Sequence, residues 1–189
     1  MNYYEIVAVV FGLISVLLTI KEKIWCWPTG IISVSFYIIV FYEAKLYAEM
    51  GLQVVFIALQ IYGWHEWLRG GPRRAGLHVA RSSASLLAAL SLIAIIGIAA
   101  MGWLLKSRTD ASLPFLDSTV TVLSLVAQWM LAKKLIENWL IWIAVDVLSI
   151  GIYFYKSLYF STVLYATFLA LATLGLIEWR KRLKDLQPA

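Results

Sequence analysis

The sequence predicts an all-α, polytopic membrane protein: seven transmembrane helices arranged as two parallel copies of a three-helix unit around one linker helix, a 3+1+3 chain. Three observations lead there. The 189 residues are 62% hydrophobic, with a mean hydropathy of +0.82, which is too apolar for a soluble domain of this size. Seven apolar runs approach the ~20 residues that a helix needs to cross ~30 Å of hydrocarbon. A set of residues in the first half recurs 112 positions later.

The first run, 3–20, carries Glu5 but no Lys or Arg in its first turn. No A-x-A-like cleavage site follows, so it reads as a span and not as a signal peptide. "KEK" at 21–23 ends it. The second run, 27–42, has Pro28 just inside its start, where a missing N–H does no harm, and stops at "EAK", 43–45. The third, 49–68, leads into the basic loop "RGGPRR" at 69–74. The fourth, 84–105, is mostly Leu, Ala and Ile with small residues, and "KSRTD" at 106–110 follows it. The fifth, 115–132, begins beside Pro114 and ends at "KK", 133–134. The sixth is 139–155, closed by Lys156, and the seventh is 160–179.

The basic residues sort onto two sides. One side carries Lys21, Lys23, Arg69, Arg73, Arg74, Arg81, Lys133, Lys134, Arg180, Lys181, Arg182 and Lys184; the other carries Lys45, Lys106, Arg108 and Lys156. The positive-inside rule then puts the N-terminus outside and the C-terminus in the cytoplasm. The net charge of +5 is therefore a topology signal, and no nucleic-acid partner is expected. Trp25, Trp27, Trp64, Trp67 and Trp179 stand near run ends, as an interfacial aromatic belt would have them. The single cysteine, Cys26, allows no intrachain disulfide. The sequence leaves oligomeric state open, and a homo-oligomer is compatible with it.

At the 112 offset Lys21 meets Lys133, Trp27 meets Trp139, Ile31 meets Ile143, and Leu46-Tyr47 meets Leu158-Tyr159. Gly63 meets Gly175, and Glu66-Trp67 meets Glu178-Trp179. Chance accounts for matched leucines and alanines, but not easily for Gly-x-x-Glu-Trp and two further aromatic matches in one ungapped register. A three-helix unit copied directly would insert upside down; the span at 84–105 reverses that and makes the copies parallel. The chain thus divides into a first repeat (1–68), a basic loop and linker helix (69–112), and a second repeat with a basic tail (113–189). Parallel repeats about an axis along the membrane normal are a transporter architecture, with substrate between them, and matched short helices at 27–42 and 139–155 point toward the site.

Polar residues fall on single helix faces. Asn138, Trp142, Asp146, Ser149 and Tyr153 share one face of the sixth span, beside Trp139; Asp117, Thr121, Ser124 and Gln128 share one face of the fifth; Gln53, Gln60, Trp64 and Trp67 share one of the third; the seventh adds Tyr165. In lipid such faces turn inward. Gln53, Gln60, Trp64, Gln128, Asn138, Trp139, Trp142, Asp146, Tyr153 and Tyr165 are the candidate substrate-binding residues. Each has a plainer alternative. Thr121, Ser124 and Ser149 suit interhelical hydrogen bonds. Asp117 suits a cap or a helix-dipole partner. Trp64 and His65 suit the interface, and Glu66 and Glu178 suit ion pairs with Arg69 and Arg180. Asp146 is mid-span with no basic residue on the neighbouring turns, and a carboxylate at that depth costs a few kcal/mol at least. No H-E-x-x-H, G-x-S-x-G or cysteine pair occurs, and both histidines lie near boundaries, so neither an enzyme, a metal nor a cofactor is expected. A retinal-type receptor needs a lysine inside the last span, and 160–179 has none.

The stretches "KLYAEMGLQVVFIALQIYGWHEW" (45–67), "LPFLDS" (113–118) and "ENWLIWIAVDVLSIGIYFYKSLY" (137–159) resemble the PnuC family of bacterial B-vitamin transporters, and the resemblance runs over nearly the whole chain. It implies a 3+1+3 fold like that of the SWEET-type sugar carriers, in the bacterial inner membrane. It also implies facilitated diffusion of an unphosphorylated vitamin precursor, commonly nicotinamide riboside, which a cytoplasmic kinase then traps on the way to NAD. Relatives carry thiamine, riboflavin or deoxynucleosides. Nicotinamide riboside transporters of the family often read Asn-Ile-Tyr-Gly-Trp where this chain has Gln60-Ile61-Tyr62-Gly63-Trp64. Nicotinamide riboside and thiamine both carry flat cationic rings, which suit a carboxylate among Trp64, Trp139, Trp142 and Tyr153 by Coulomb attraction and cation–π contact. Either vitamin fits that reading, and so does a proton-coupled carrier using Asp146.

Overall fold

A helix forms over each apolar run. In the computed structural model, which describes residues 3–43, 45, 47–71, 76–109 and 112–186, these are α1 (Tyr3–Ile20), α2 (Cys26–Glu43), α3 (Tyr47–Arg69), α4 (Ala84–Arg108), α5 (Pro114–Ala132), α6 (Asn138–Tyr155) and α7 (Tyr159–Leu186). Leu46 of the repeat, and Arg73 and Arg74 of the basic side, lie outside the described residues. Six of the seven helices are long and apolar enough to cross a membrane. The exception, α3, has the length at 23 residues but carries Glu49, Gln53, Gln60, His65, Glu66 and Arg69. Part of that polarity is spent inside the protein: Gln60 and the indole of Trp67 are buried against neighbouring helices.

In each half, consecutive helices pack together: α1 on α2 and α2 on α3, then α5 on α6 and α6 on α7. The halves are joined chiefly by packing of α3 on α5 and of α1 on α7. The α4 helix packs on α5 and presents Leu92, Ile93, Ile95 and Ile96 outward; a mostly aliphatic helix with an apolar outer surface is at home only against lipid.

Two pairs of residues 112 apart share a backbone conformation. Glu22 (φ 54°) and Lys134 (φ 52°) both take the left-handed conformation that ends a helix, as do Lys45 and Ser157, each at φ 58°. At Glu22 the closing bonds run from its N–H to Thr19 O (2.9 Å) and from Lys23 N–H to Leu18 O (2.9 Å). At Lys134 they run from its N–H to Leu131 O (2.9 Å) and from Leu135 N–H to Met130 O (3.0 Å). This is the Schellman pattern, made here without the usual glycine.

Between α3 and α4 the chain forms a strap across the α5–α6 turn. Ala80 bridges Leu135 in parallel, its N–H donating to Lys134 O (3.0 Å) and its carbonyl accepting from Ile136 N–H (2.9 Å). Ser82 donates its N–H (3.0 Å) and its hydroxyl (2.8 Å) to Glu137 Oε2. Val79 is buried in the aromatic core beneath.

The aromatic belt is corrected in part. Trp25 is exposed, but Trp27, Trp67 and Trp179 are among the most buried residues in the protein. Glycines make room for them. A Cβ on Gly63 would collide with the Trp27 ring, and one on Gly175 would stand 2.6 Å from Trp139 Cη2.

Candidate functional site

The two halves meet in two layers, one hydrophobic and one polar. At the basic end, Trp27 meets Trp67 edge to face (5.3 Å, 89°) and Trp139 meets Trp179 in the same way (5.4 Å, 88°). The layer is joined across the middle by Trp67 and Trp179, 6.3 Å apart. Ion pairs lie over it. Lys134 Nζ is 3.0 Å from Glu22 Oε2 and 4.4 Å above the Trp67 ring. Lys133 Nζ is 3.0 Å from Glu66 Oε2 and 5.1 Å from the Tyr62 ring centroid. Burial pulls the Lys133 ammonium toward losing its proton, but Tyr62 and Glu66 outweigh that and hold its pKa above the ordinary lysine value. Arg182 reaches Glu22 (3.9 Å) and Glu178 (3.7 Å). The expected pairs are thus replaced: Glu66 binds Lys133 and not Arg69, and Glu178 binds Lys181 and Arg182 and not Arg180. For Glu66 a turn brought close in space offers a nearer cation than its sequence neighbour, while Glu178 meets cations three and four residues on, along its own helix face.

Deeper in, α6 carries Asp146, eight residues past Asn138 and so about 12 Å along the helix. Asp146 is 4% exposed, and among the described residues no hydrogen bond or ion pair is made to its carboxylate. Ser149, one turn on, is 1% exposed, and its hydroxyl has no hydrogen-bond partner among the described residues. One turn further, Tyr153 stacks on Tyr165 of α7 (5.1 Å, 28°). Tyr165 lies within electrostatic reach of Asp146, Tyr153 and Tyr37, so α2 of the first half faces this group as well. Phe168 extends the aromatic surface, 6.0 Å from Tyr165, toward Gly12 of α1.

The predicted residues divide accordingly. Asp146, Tyr153 and Tyr165 gather in the polar layer. Trp139 belongs to the tryptophan layer, with Trp64 and Trp142 packed against its core. Asn138 is fully buried and locks the α5–α6 turn, donating Nδ2–H to Leu135 O (2.6 Å). Gln60 sets its carboxamide against Gly30 of α2, close to Ser15. Gln128 is buried on α5 and Gln53 half-buried on α3. Asp117 makes no cap bond; it stands in the first turn of α5, 3.8 Å from Lys156. Tyr37 was missed. It stands at the position equivalent to Ser149, and a tyrosine in an apolar run with a stacked Phe41 (5.8 Å) gives no polar stripe to find.

A lone carboxylate, a hydroxyl without a hydrogen-bond partner and stacked phenols make up this layer, and no nucleophile–base pair is assembled in it among the described residues. Among the described residues no group of three His, Cys, Asp or Glu is placed to hold a metal.

Comparison with known proteins decides the family. The profile of the nicotinamide mononucleotide transporter family matches residues 2–181. The chain belongs to that family. Its PnuC relatives include the nicotinamide riboside transporter PnuC of Escherichia coli K12, 30% identical over 198 residues that span 90% of this chain and 83% of the relative. The riboflavin/roseoflavin transporter RibM of Streptomyces davaonensis is 29% identical over 93% of this chain and 83% of its own. A crystal structure of the vitamin B3 transporter PnuC aligns with a TM-score of 0.77 at 26% identity, covering 98% of this chain and 83% of that one. The PnuC resemblance read from the sequence is thereby borne out, as is the all-helical multi-pass membrane fold.

Proposed function

We propose that this PnuC-family chain is a facilitated-diffusion carrier of the bacterial inner membrane, not an enzyme, and that it takes up an unphosphorylated cationic vitamin precursor, nicotinamide riboside. Asp146 carries the reading: a buried carboxylate with no hydrogen-bond or ion-pair partner among the described residues, within electrostatic reach of Tyr165, which stacks on Tyr153. A pyridinium ring supplies the missing charge, and the tyrosines supply cation–π faces worth ~0.5–2 kcal/mol. The family profile is named for the mononucleotide and the PnuC relatives for the riboside. The described residues of the polar layer include no Lys or Arg, so a phosphate there would face Asp146 with nothing to hold it. Riboflavin, the cargo in RibM's name, is neutral and gains nothing from Asp146. Thiamine, with its thiazolium, is the second candidate.

Two parallel three-helix copies joined by α4 support alternating exposure of that layer. In favour of the copies stand the paired left-handed residues, the paired tryptophan contacts and the paired glycine notches. The basic end, on this reading cytoplasmic, is the closed one.

The test is affinity of Asp146→Asn for nicotinamide riboside and for its neutral, ring-reduced form. The amide keeps the shape, and the loss for the cation should be ~1–3 kcal/mol, the scale of one charge-assisted contact; the reduced form should bind almost unchanged. Equal losses for both ligands would show that Asp146 does not read charge. In vesicles the vitamin should equilibrate without accumulating, whereas uphill uptake driven by a pH step would favour proton coupling through Asp146.

A further inference from the structure

Away from the polar layer, the strap, the start of α6 and the end of α7 enclose a cleft of about 120 Å³, lined by Arg81, Ile136, Glu137, Leu140, Leu176 and Arg180. We propose that this cleft binds the headgroup phosphate of an anionic phospholipid, with an acyl chain running down over Leu140.

Charge is the first argument. Around it, Glu22, Glu66 and Glu178 all take up cations. Arg81 and Arg180 do not share in this; among the described residues neither makes an ion pair or a hydrogen bond. Glu137 is turned to the strap, its Oε2 accepting both the N–H and the hydroxyl of Ser82. Two guanidinium groups and one carboxylate leave one positive charge, which one phosphodiester balances. Guanidinium is the side chain whose planar fork suits phosphate oxygens.

Position is the second argument. Arg81 stands between Ala80 and Ser82, both fixed to the 134–137 segment by hydrogen bonds, so its backbone is held and not free to wander. Arg180 follows Trp179, which is fully buried. From this rim the lining turns apolar toward the middle of the helices: Leu140 stands in the first turn of α6, and Leu176 lies one turn back along α7 from Arg180. Leu140 is half-exposed on the outer surface. Two arginines beside the outward-facing Leu140, with the buried Leu176 closing the back of the cleft, match a lipid with its headgroup above the start of its chain. A soluble anion has no use for the leucines. Basic pockets between transmembrane helices are known headgroup sites. A bound lipid would add a tie between the strap and α7.

The experiment is native mass spectrometry of the full chain from micelles containing equal phosphatidylglycerol and phosphatidylcholine. The wild type should retain phosphatidylglycerol selectively. Each of Arg81→Gln and Arg180→Gln should lower that selectivity about five-fold, from ~1 kcal/mol per basic residue at a membrane surface. Arg81→Lys with Arg180→Lys, which keeps the charge and loses the fork, should fall between. Both arginines are exposed, and an unchanged elution profile will show that each variant folds. Lys21→Gln with Lys184→Gln, which removes two exposed cations outside the cleft, should leave selectivity intact. An equal loss in that control would reduce the effect to general surface charge and overturn the proposal. So would displacement of the lipid by excess inorganic phosphate, which would mark a site for free anions.

Discussion

Glu22 and Lys134 invite an exchange of charge. They are 112 residues apart and bound to each other at 3.0 Å, with side chains 21% and 10% exposed. Glu22→Lys alone leaves Lys134 without its partner and sets a second ammonium against it. Removing one member of a buried pair costs ~3–5 kcal/mol, and the residual exposure of Glu22 places this variant near ~3. Lys134→Glu alone should cost as much, and it also loses the contact over Trp67. Made together, the two changes restore the pair in reverse. The introduced lysine would then lie over Trp179, the counterpart of Trp67. One penalty survives: Arg182, half-exposed and 3.9 Å from Glu22, would face a like charge, worth ~0.2–1 kcal/mol at such an exposed site. The double variant should therefore lie within about 1 kcal/mol of the wild type, as calculated from the surviving surface term. Reversible unfolding by SDS in mixed micelles measures all four proteins. A double variant as unstable as the two singles combined would refute both the pairing and the equivalence of the two positions.

Other outcomes follow from the same structure. Gly63→Ala and Gly175→Ala should each destabilise by ~1–3 kcal/mol, the usual range for overpacking, because each new Cβ drives into a tryptophan ring; Gly151→Ala, with nothing within 4 Å, should gain ~0.5–1 kcal/mol from helix propensity, and identical melting of all three would sink the reading. Ser157→Gly relieves a left-handed residue at φ 58° and should stabilise by up to ~1 kcal/mol in the same unfolding assay, since that conformation costs ~1–2 kcal/mol in a non-glycine residue and glycine returns part of the gain as entropy. The raised Lys133 pKa makes its pairing with Glu66 fully effective below the ordinary lysine pKa and lost only as pH rises through the raised one; melting of wild type and Lys133→Met should thus differ by a constant amount across neutral pH, and a difference that vanished there would contradict the pair. A C-terminal reporter active only in the cytoplasm should give signal, and silence from it would invert the proposed orientation.

The helices were legible because hydrocarbon imposes a length and a composition. Runs drawn at 27–42, 49–68 and 139–155 fall inside α2, α3 and α6 to within two residues. The seventh was cut short at 179, where hydropathy ends; α7 goes on to Leu186 because Arg180, Lys181, Arg182, Leu183 and Lys184 are good helix formers whatever the solvent. The recurrence of Gly63 and Trp67 at Gly175 and Trp179 was legible as letters. That each glycine is a notch for a tryptophan of another helix was not, since a tryptophan near a run end suits an interface equally well. Asp146, Tyr153 and Tyr165 could be found from polarity at helical spacing. Tyr37 could not, because its place beside Tyr153 and Tyr165 comes from what stands opposite it across the two halves. The pair expected for Glu66 differs for a related reason: a sequence neighbour was the partner in view, while Lys133 arrives from a turn 67 residues away, as Lys134 does at Glu22 from 112; Glu178 instead meets Lys181 and Arg182, three and four residues on, which share its helix face where Arg180 does not.

The contact between Glu22 and Lys134 also bears on ancestry. If the two triplets descend from one, this position is where each copy touches its own counterpart. In a dimer of identical half-length chains the same residue would have met itself there: two carboxylates or two ammonium groups at close range, a repulsion with no remedy within one gene. Joining the halves into one polypeptide frees the two sites to mutate separately. One then becomes acidic and the other basic, and what had limited the dimer now fastens the fused chain. An opposite-charge pair at such a self-facing position is open only to a protein whose halves are no longer identical.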